Sequence, residues 1–173
     1  MSGALPQRKP LRLSGYDYSS TGAYFVTFGT HEKQRFLGHI PSVGAIHESP
    51  AVRLTAAGEA VERCILKLPE RFPFLTLDAH VVMPNHVHLL LTFTQPEERA
   101  IRESPLRRSL LSKAMGYLKM NAGQEIRLLL PLEQVWQRGY YDHLVRDEND
   151  YLRIWTYIET NPAKWREDVY YAI

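Results

Sequence analysis

Hydrophobic positions along the chain switch between strand-like alternation and helical spacing, and the switches mark the elements. Tyr24-Phe25-Val26-Thr27-Phe28 is aromatic and β-branched and reads as a strand. Residues 34–54 hold short apolar pieces broken by Gly38, Pro41, Gly44 and Pro50, which suits a hairpin or an irregular insert. From Thr55 to Leu68, the residues Ala60, Val61, Cys64, Ile65 and Leu68 fall on one helical face, and the helix should end before Pro69. Phe74 to Val82 is a second strand, Pro84-Asn85 a turn, and a third strand runs on through Phe93.

Residues 94–104 form a polar loop, after which Ser104-Pro105 supplies an N-cap and a first helical residue. That helix carries Leu106, Leu110, Ala114, Tyr117 and Leu118 on one side, with Gly123 as its expected stop. Residues 125–146 are mixed, with a strand near Tyr140 to Val145. Asp147 caps a final helix that runs to about Asn161, where Pro162 stops it. The order is strand, helix, strand, strand, helix, strand, helix. This is the split βαβ, ferredoxin-like pattern: an α+β fold with an antiparallel sheet, helices on one face and an added C-terminal helix. The other sheet face is then free for a site. We expect a single domain over residues 1–173, with residues 1–15 as a flexible basic arm carrying Arg8, Lys9 and Arg12.

Composition narrows the class. A chain of 173 residues that is 45% hydrophobic can bury a substantial core. No apolar run reaches membrane length, and Met1 to Arg12 lacks a hydrophobic signal core. Cys64 is the only cysteine, which rules out an internal disulfide or a cysteine-based zinc cage. These features point to a cytoplasmic protein with no membrane partner. A net charge of +2 neither demands nor excludes nucleic acid, so local clusters decide. Arg102, Arg107, Arg108, Lys113, Lys119 and Arg127 outnumber Glu103 and Glu125 in one helical region. Taken alone, that run reads as a solvated helix face.

The chemistry concentrates at His86-Val87-His88. Residues two apart on a strand share a face, so the two imidazoles project side by side, as half of a metal site would. Two histidines on a solvated strand face would look the same. The final helix offers an apolar stripe of Tyr151, Ile154, Trp155 and Ile158, with Tyr157 and Asn161 together on its flank. If that flank meets the histidine face, two imidazoles, an amide oxygen and a phenol converge. Such a set could bind a divalent ion against a phosphate oxygen while the phenol attacks phosphorus. Tyr140, Tyr141 and Tyr151 compete as nucleophiles, but only Tyr157 has a candidate ligand one turn later on its own face.

Three segments then carry a family resemblance: Val82-Met83-Pro84-Asn85-His86-Val87-His88-Leu89, Val135-Trp136-Gln137-Arg138-Gly139-Tyr140-Tyr141-Asp142-His143 and Tyr157-Ile158-Glu159-Thr160-Asn161-Pro162. In this order they resemble the single-tyrosine HUH transposases, and most closely the REP-associated branch. Gly15-Tyr16-Asp17-Tyr18 and Gly22 to Thr27 look like the same family, so the resemblance spans residues 10 to 166. It implies His86 and His88 as metal ligands, Asn161 as a third, Tyr157 as the nucleophile, and Mg²⁺ or Mn²⁺ as the cofactor. It further implies cleavage of single-stranded DNA beside a hairpin through a 5′-phosphotyrosine, in a bacterial protein that is nucleoid-associated when bound to DNA. His143 is a further candidate, as a ligand or as a histidine that orients one. Candidate DNA contacts are Arg107, Arg108, Lys113, Lys119 and Arg138, and Trp136, Tyr140 and Tyr141 could stack on bases or pack in the core. Homodimer and monomer both fit. The rivals are a catalytically silent DNA- or RNA-binding derivative and a ferredoxin-like metal protein without a nucleic acid role.

Overall fold

In a computed structural model the chain is described over residues 22–41, 51–94 and 110–171. The basic arm, the Gly15 to Tyr18 segment, the 94–104 loop beyond Thr94, the Ser104-Pro105 cap, Leu106, Arg102, Arg107 and Arg108 lie outside those residues. The strands are β1 (Gly22–Gly29), β2 (Gly38–His39), β3 (Arg53–Leu54), β4 (Leu75–Val82), β5 (His86–Phe93) and β6 (Tyr141–Leu144). The helices are α1 (Ala56–Leu66), α2 (Leu68–Arg71), α3 (Leu110–Leu129) and α4 (Glu148–Thr160), followed by 3₁₀ turns over Asn161–Glu167. Four strands form one antiparallel sheet in the order β4-β5-β1-β6, and β2 pairs with β3 in the expected hairpin region. Strand order and direction are those of the ferredoxin-like pattern. Among the described residues, no helix is long and apolar enough to cross a membrane.

Alternation along β1 and β5 divides the molecule into two cores. Tyr24, Val26, Phe28, Val87, Leu89 and Leu91 point to one face, where Val61 and Ile65 of α1 and Met115 and Leu118 of α3 cover them. Leu90 and Ala79 point to the other, where Ile154 and Ile158 of α4 close over them. The second face is therefore not left open, because α4 docks across half of it. Trp155 departs from the expected stripe: it is exposed and leans on Tyr151 outside the contact. It sits one residue past Ile154, about 100° around the helix, and so turns away from the sheet.

Two helix boundaries differ from expectation. α1 ends at Leu66, but Pro69 then sits at the start of the short α2, a position that needs no N–H. Gly123 does not stop α3, which continues to Leu129. It lacks the left-handed backbone of a C-cap. A Cβ there would lie 3.4 Å from the Trp136 indole nitrogen, about van der Waals contact, so the position packs beside the Trp136 ring inside the helix. Trp136 itself is buried against Phe28 and donates Nε1–H to the Lys119 carbonyl, which places it in the core rather than on a base-stacking surface.

Gly58 has a stricter role. Thr55 caps α1 by accepting from Gly58 N–H, and its own N–H donates to the Leu37 carbonyl. A Cβ on Gly58 would fall 1.9 Å from that carbonyl oxygen. Leu37 N–H in turn donates to Pro84 O, so the close approach braces the turn that leads into the histidine strand. Gly58→Ala should destabilise the fold by about 1–3 kcal/mol, more than the gain of about 1 kcal/mol in helix propensity. A urea midpoint equal to or above wild type would show that this contact does not constrain the chain.

Candidate metal and nucleophile site

The turn before β5 is closed by Met83 N–H donating to His86 O at 2.8 Å, and it hangs from β1 through Thr30 N–H and Oγ1–H on the Asn85 carbonyl. These bonds fix the register in which His88 faces Thr27 and His86 faces Gly29. Both imidazoles point to the α4 face, and both are buried. Their Nε2 atoms face each other at 3.0 Å. The other ring nitrogens are held from behind: His86 Nδ1 is 3.0 Å from Asn85 Oδ1, and His88 Nδ1 is 2.7 Å from Thr27 Oγ1. Such partners orient imidazole ligands.

The network assigns the protons. The Asn85 amide donates to the Lys33 and Tyr170 carbonyls, which turns its oxygen toward His86. His86 Nδ1 must then be the donor, leaving a lone pair on Nε2. Between two Nε2 atoms at this distance there must be a proton or a cation. With a proton, His88 Nε2–H donates to His86 and the Thr27 hydroxyl donates to His88 Nδ1. With a cation, His88 moves its proton to Nδ1 and Thr27 accepts. The spacing suits a cation, because two donors about 2.1 Å from one ion at a right angle lie about 3 Å apart.

α4 and the turns after it bring the remaining groups. Asp147 caps α4 by accepting from Asp150 N–H, and Tyr157 packs edge-on against Phe25 and His88, with centroids 5.9 and 5.2 Å away. Pro162 ends the α-helix but not the turning, and the 3₁₀ segment carries the chain back over the histidines. There Asp168 reaches the centre of the cluster. Its Oδ2 accepts from Tyr157 Oη–H at 3.3 Å and from Asn161 Nδ2–H at 3.1 Å, and it lies 3.9 Å from His86 Nε2. Its Oδ1 accepts from Tyr170 N–H at 2.7 Å, and the Tyr170 ring stacks on His86. One donor atom each from His86, His88 and Asp168 lies within 4.8 Å of the other two, a spacing able to hold a metal ion. Asn161 is buried, and its Oδ1 finds no hydrogen-bond partner among the described residues. An orphaned buried amide oxygen beside this cluster suits a further oxygen donor.

Asp168 escaped the reading of the sequence. It lies past Pro162, in Trp165-Arg166-Glu167-Asp168-Val169-Tyr170-Tyr171, with no helical spacing to tie it to Tyr157. The only signal was an acidic residue set among aromatic ones. Asn85 and Thr27, which orient the rings, were also passed over, although Asn85 adjoins the histidine triplet. His143 is not in the cluster. Its Nε2 is 2.7 Å from Asp150 Oδ2, though its ring lines the same cavity as His88 and Tyr157. Lys119 is on α3, across the sheet from the histidines, and donates to the carbonyls of Gln137 and Gly139. Those two bonds clip the Gln137 to Gly139 loop to α3, and burial lowers the Lys119 pKa to about 8. Lys113 shares that helix, and Arg138 is exposed in that loop. Tyr140 packs against the core beside Ser112, whereas Tyr141 is 44% exposed and lines the cavity.

Electrostatics favour neutral imidazoles and a neutral phenol. Burial lowers both histidines to about 3, helped at His86 by Lys33 and at His88 by His86. Burial first, and then the Asp168 charge, pushes Tyr157 up to about 12. The histidines have a consequence for stability. Their folded pKa values lie below the unfolded value of about 6.5, so as pH falls through that value the unfolded chain binds protons that the folded chain refuses. Stability is then fully present above about pH 6.5 and lost below it, by up to about 1.4 kcal/mol per ring per pH unit. Urea midpoints measured with chelator should fall steadily from pH 7 to pH 5, and a flat profile would mean that the rings are not held neutral.

No family model matches the chain. An uncharacterized protein of Haemophilus influenzae is 31% identical over 181 aligned residues, covering 99% of this chain and 97% of that protein. A putative REP-associated tyrosine transposase of the same organism is 32% identical over 55% of this chain, and the match spans about half (53%) of that relative. Among solved structures, a REP-associated tyrosine transposase bound to a REP hairpin superimposes with a TM-score of 0.57 at 20% identity, covering 88% of this chain and 74% of that one.

Proposed function

We propose that this chain is a REP-associated tyrosine transposase, on its likeness to such relatives, and that it cuts single-stranded DNA beside a hairpin through a 5′-phosphotyrosine on Tyr157. The observation that carries this reading is the convergence of Tyr157, Asn161 and Asp168 on the facing Nε2 atoms of His86 and His88. A phenol used only for packing would need no carboxylate, and two buried neutral imidazoles with facing nitrogens need something between them.

His86, His88 and Asp168 would hold a divalent ion, Mg²⁺ or Mn²⁺, with the Asn161 amide oxygen as a further donor. When bound, the ion supplies Lewis acidity at a phosphate oxygen. The protein's own groups do the rest. Asn85 and Thr27 orient the imidazoles. Asn161 Nδ2–H holds the Asp168 carboxylate against the phenol. Tyr157 gives its proton to Asp168 Oδ2, and its oxygen attacks phosphorus. The P–O3′ bond breaks as the Tyr–O–P bond forms, and the leaving 3′-oxygen takes a proton from water. Asp168 then holds the tyrosine's proton for the reverse step, in which a free 3′-hydroxyl attacks phosphorus and loses its proton to water, the Tyr–O–P bond breaks, and the Tyr157 oxygen takes its proton back from Asp168. The hairpin is the expected DNA partner, as it is for the structural relative.

The test uses hairpin-bearing single strands copied from the DNA that flanks the gene. Incubation with Mn²⁺ should yield a covalent protein–DNA adduct on a denaturing gel, and chelator should remove it. Tight hairpin binding without an adduct, across several flanking hairpins, would instead make the protein a silent DNA-binding derivative.

A further inference from the structure

A cavity of about 580 Å³ opens beside Tyr157, within the range of small-ligand sites. Its floor is Phe25, which stacks on His88 with a centroid separation of 5.3 Å. Tyr157 and Tyr141 both stand steeply to the Phe25 ring, at 87° and 72°. Tyr141 comes from β6, opposite Thr27 in the sheet, so its ring is carried by a paired strand. At the polar end are His143, which is the cross-strand partner of Phe25, and Arg153 of α4. Asp150 accepts from both, through Oδ2 and Oδ1 respectively, and holds the two side chains in place. His143 Nδ1 and the remaining Arg153 N–H groups find no other hydrogen-bond partner among the described residues. The polar end therefore combines several donors with a ring nitrogen that can accept.

We propose that this cavity takes one unpaired nucleobase of the substrate strand, the neighbour of the phosphate attacked by Tyr157. Tyr141 supplies the stacking face, and His143 and Arg153 meet the polar edge of the base. The inference rests on the transposase reading and adds a specificity-determining pocket to it. A flat, half-polar ligand fits a chamber that is aromatic at its floor and walls and charged at one end. Tyr157 and His88 line the same chamber, so a strand with its phosphate at the phenol must send an adjacent base into it or past its mouth.

The test is an abasic scan. Hairpin oligonucleotides with a single-stranded extension lose one base at a time along that extension, and affinity is read by fluorescence anisotropy at fixed salt. For the wild type, one position next to the cut should weaken binding about 5- to 150-fold, the range set by stacking of a single base. Tyr141→Ala should weaken the intact oligonucleotide by a similar factor and gain no further loss from that abasic site, whereas Tyr141→Phe should bind as wild type. Equal abasic losses in wild type and Tyr141→Ala would overturn the assignment, as would unchanged binding by a folded Tyr141→Ala. If that variant unfolds, Arg153→Ala must lose the abasic effect in its place. Wild type that forms the Tyr157 adduct while showing no abasic-sensitive position sinks the pocket alone. Wild type that binds no hairpin sinks the transposase reading and the pocket with it.

Discussion

Tyr157→Phe is expected to lower covalent adduct formation by at least about 10³-fold while leaving hairpin affinity within about threefold of wild type. The substitution removes one oxygen. The ring that packs on Phe25 and His88 stays, and Asp168 keeps its bonds from Asn161 and Tyr170. The lost hydrogen bond is long, at 3.3 Å, and the phenol is 39% exposed, so the thermal midpoint should move by only a few degrees. The pair of readouts separates roles. A packing tyrosine would change stability and leave any adduct in place. A DNA-contacting tyrosine would change affinity and adduct together. An adduct formed at the wild-type rate would transfer the nucleophile to another residue, and peptide mapping of that adduct would identify it.

Asp168→Asn should have the second largest effect. The amide keeps the size of the carboxylate and can still accept from Asn161, but it loses the charge that faces His86 and the capacity to take the phenolic proton. Cleavage should fall by about 10²- to 10⁴-fold, the usual worth of a positioned base. Mn²⁺ affinity, read by calorimetry on the protein without DNA, should fall by about 10- to 100-fold, as befits loss of a charged donor or of one that fixes the ligands. The two numbers divide the roles: weakened cleavage with intact Mn²⁺ affinity would leave Asp168 as a proton acceptor only. Wild-type values for both would reduce it to a packing residue.

Much of this site was legible in the order of residues. His86 and His88 share a face because a strand has a period of two, and Tyr157 and Asn161 share one because a helix repeats every 3.6 residues. Local periodicity also placed β1, β4, β5, α1 and α4 and the split βαβ order, since each element must bury an apolar face. Asp147 and Thr55 marked two helix starts by the donors that they satisfy. What periodicity could not carry is anything decided between elements. That Gly123 lies inside a helix beside Trp136 depends on a side chain thirteen residues away, and the close approach of Gly58 to Leu37 O depends on a carbonyl twenty-one residues earlier. That α4 lies on the histidine face, with Trp155 turned out, follows from which apolar pairs fit best across the sheet. Asp168 is the clearest case. No repeat links it to the histidines, because Pro162 breaks the helix and the 3₁₀ turns redirect the chain over β5. Its place beside Tyr157 and His86 is a product of tertiary packing, since a charge is held in a buried site only where several donors converge on it. Sequence by itself thus determined which residues face the same way along each element. The tertiary structure alone decided which of those faces meet, because contact between elements depends on shape and on satisfied polar groups rather than on local spacing.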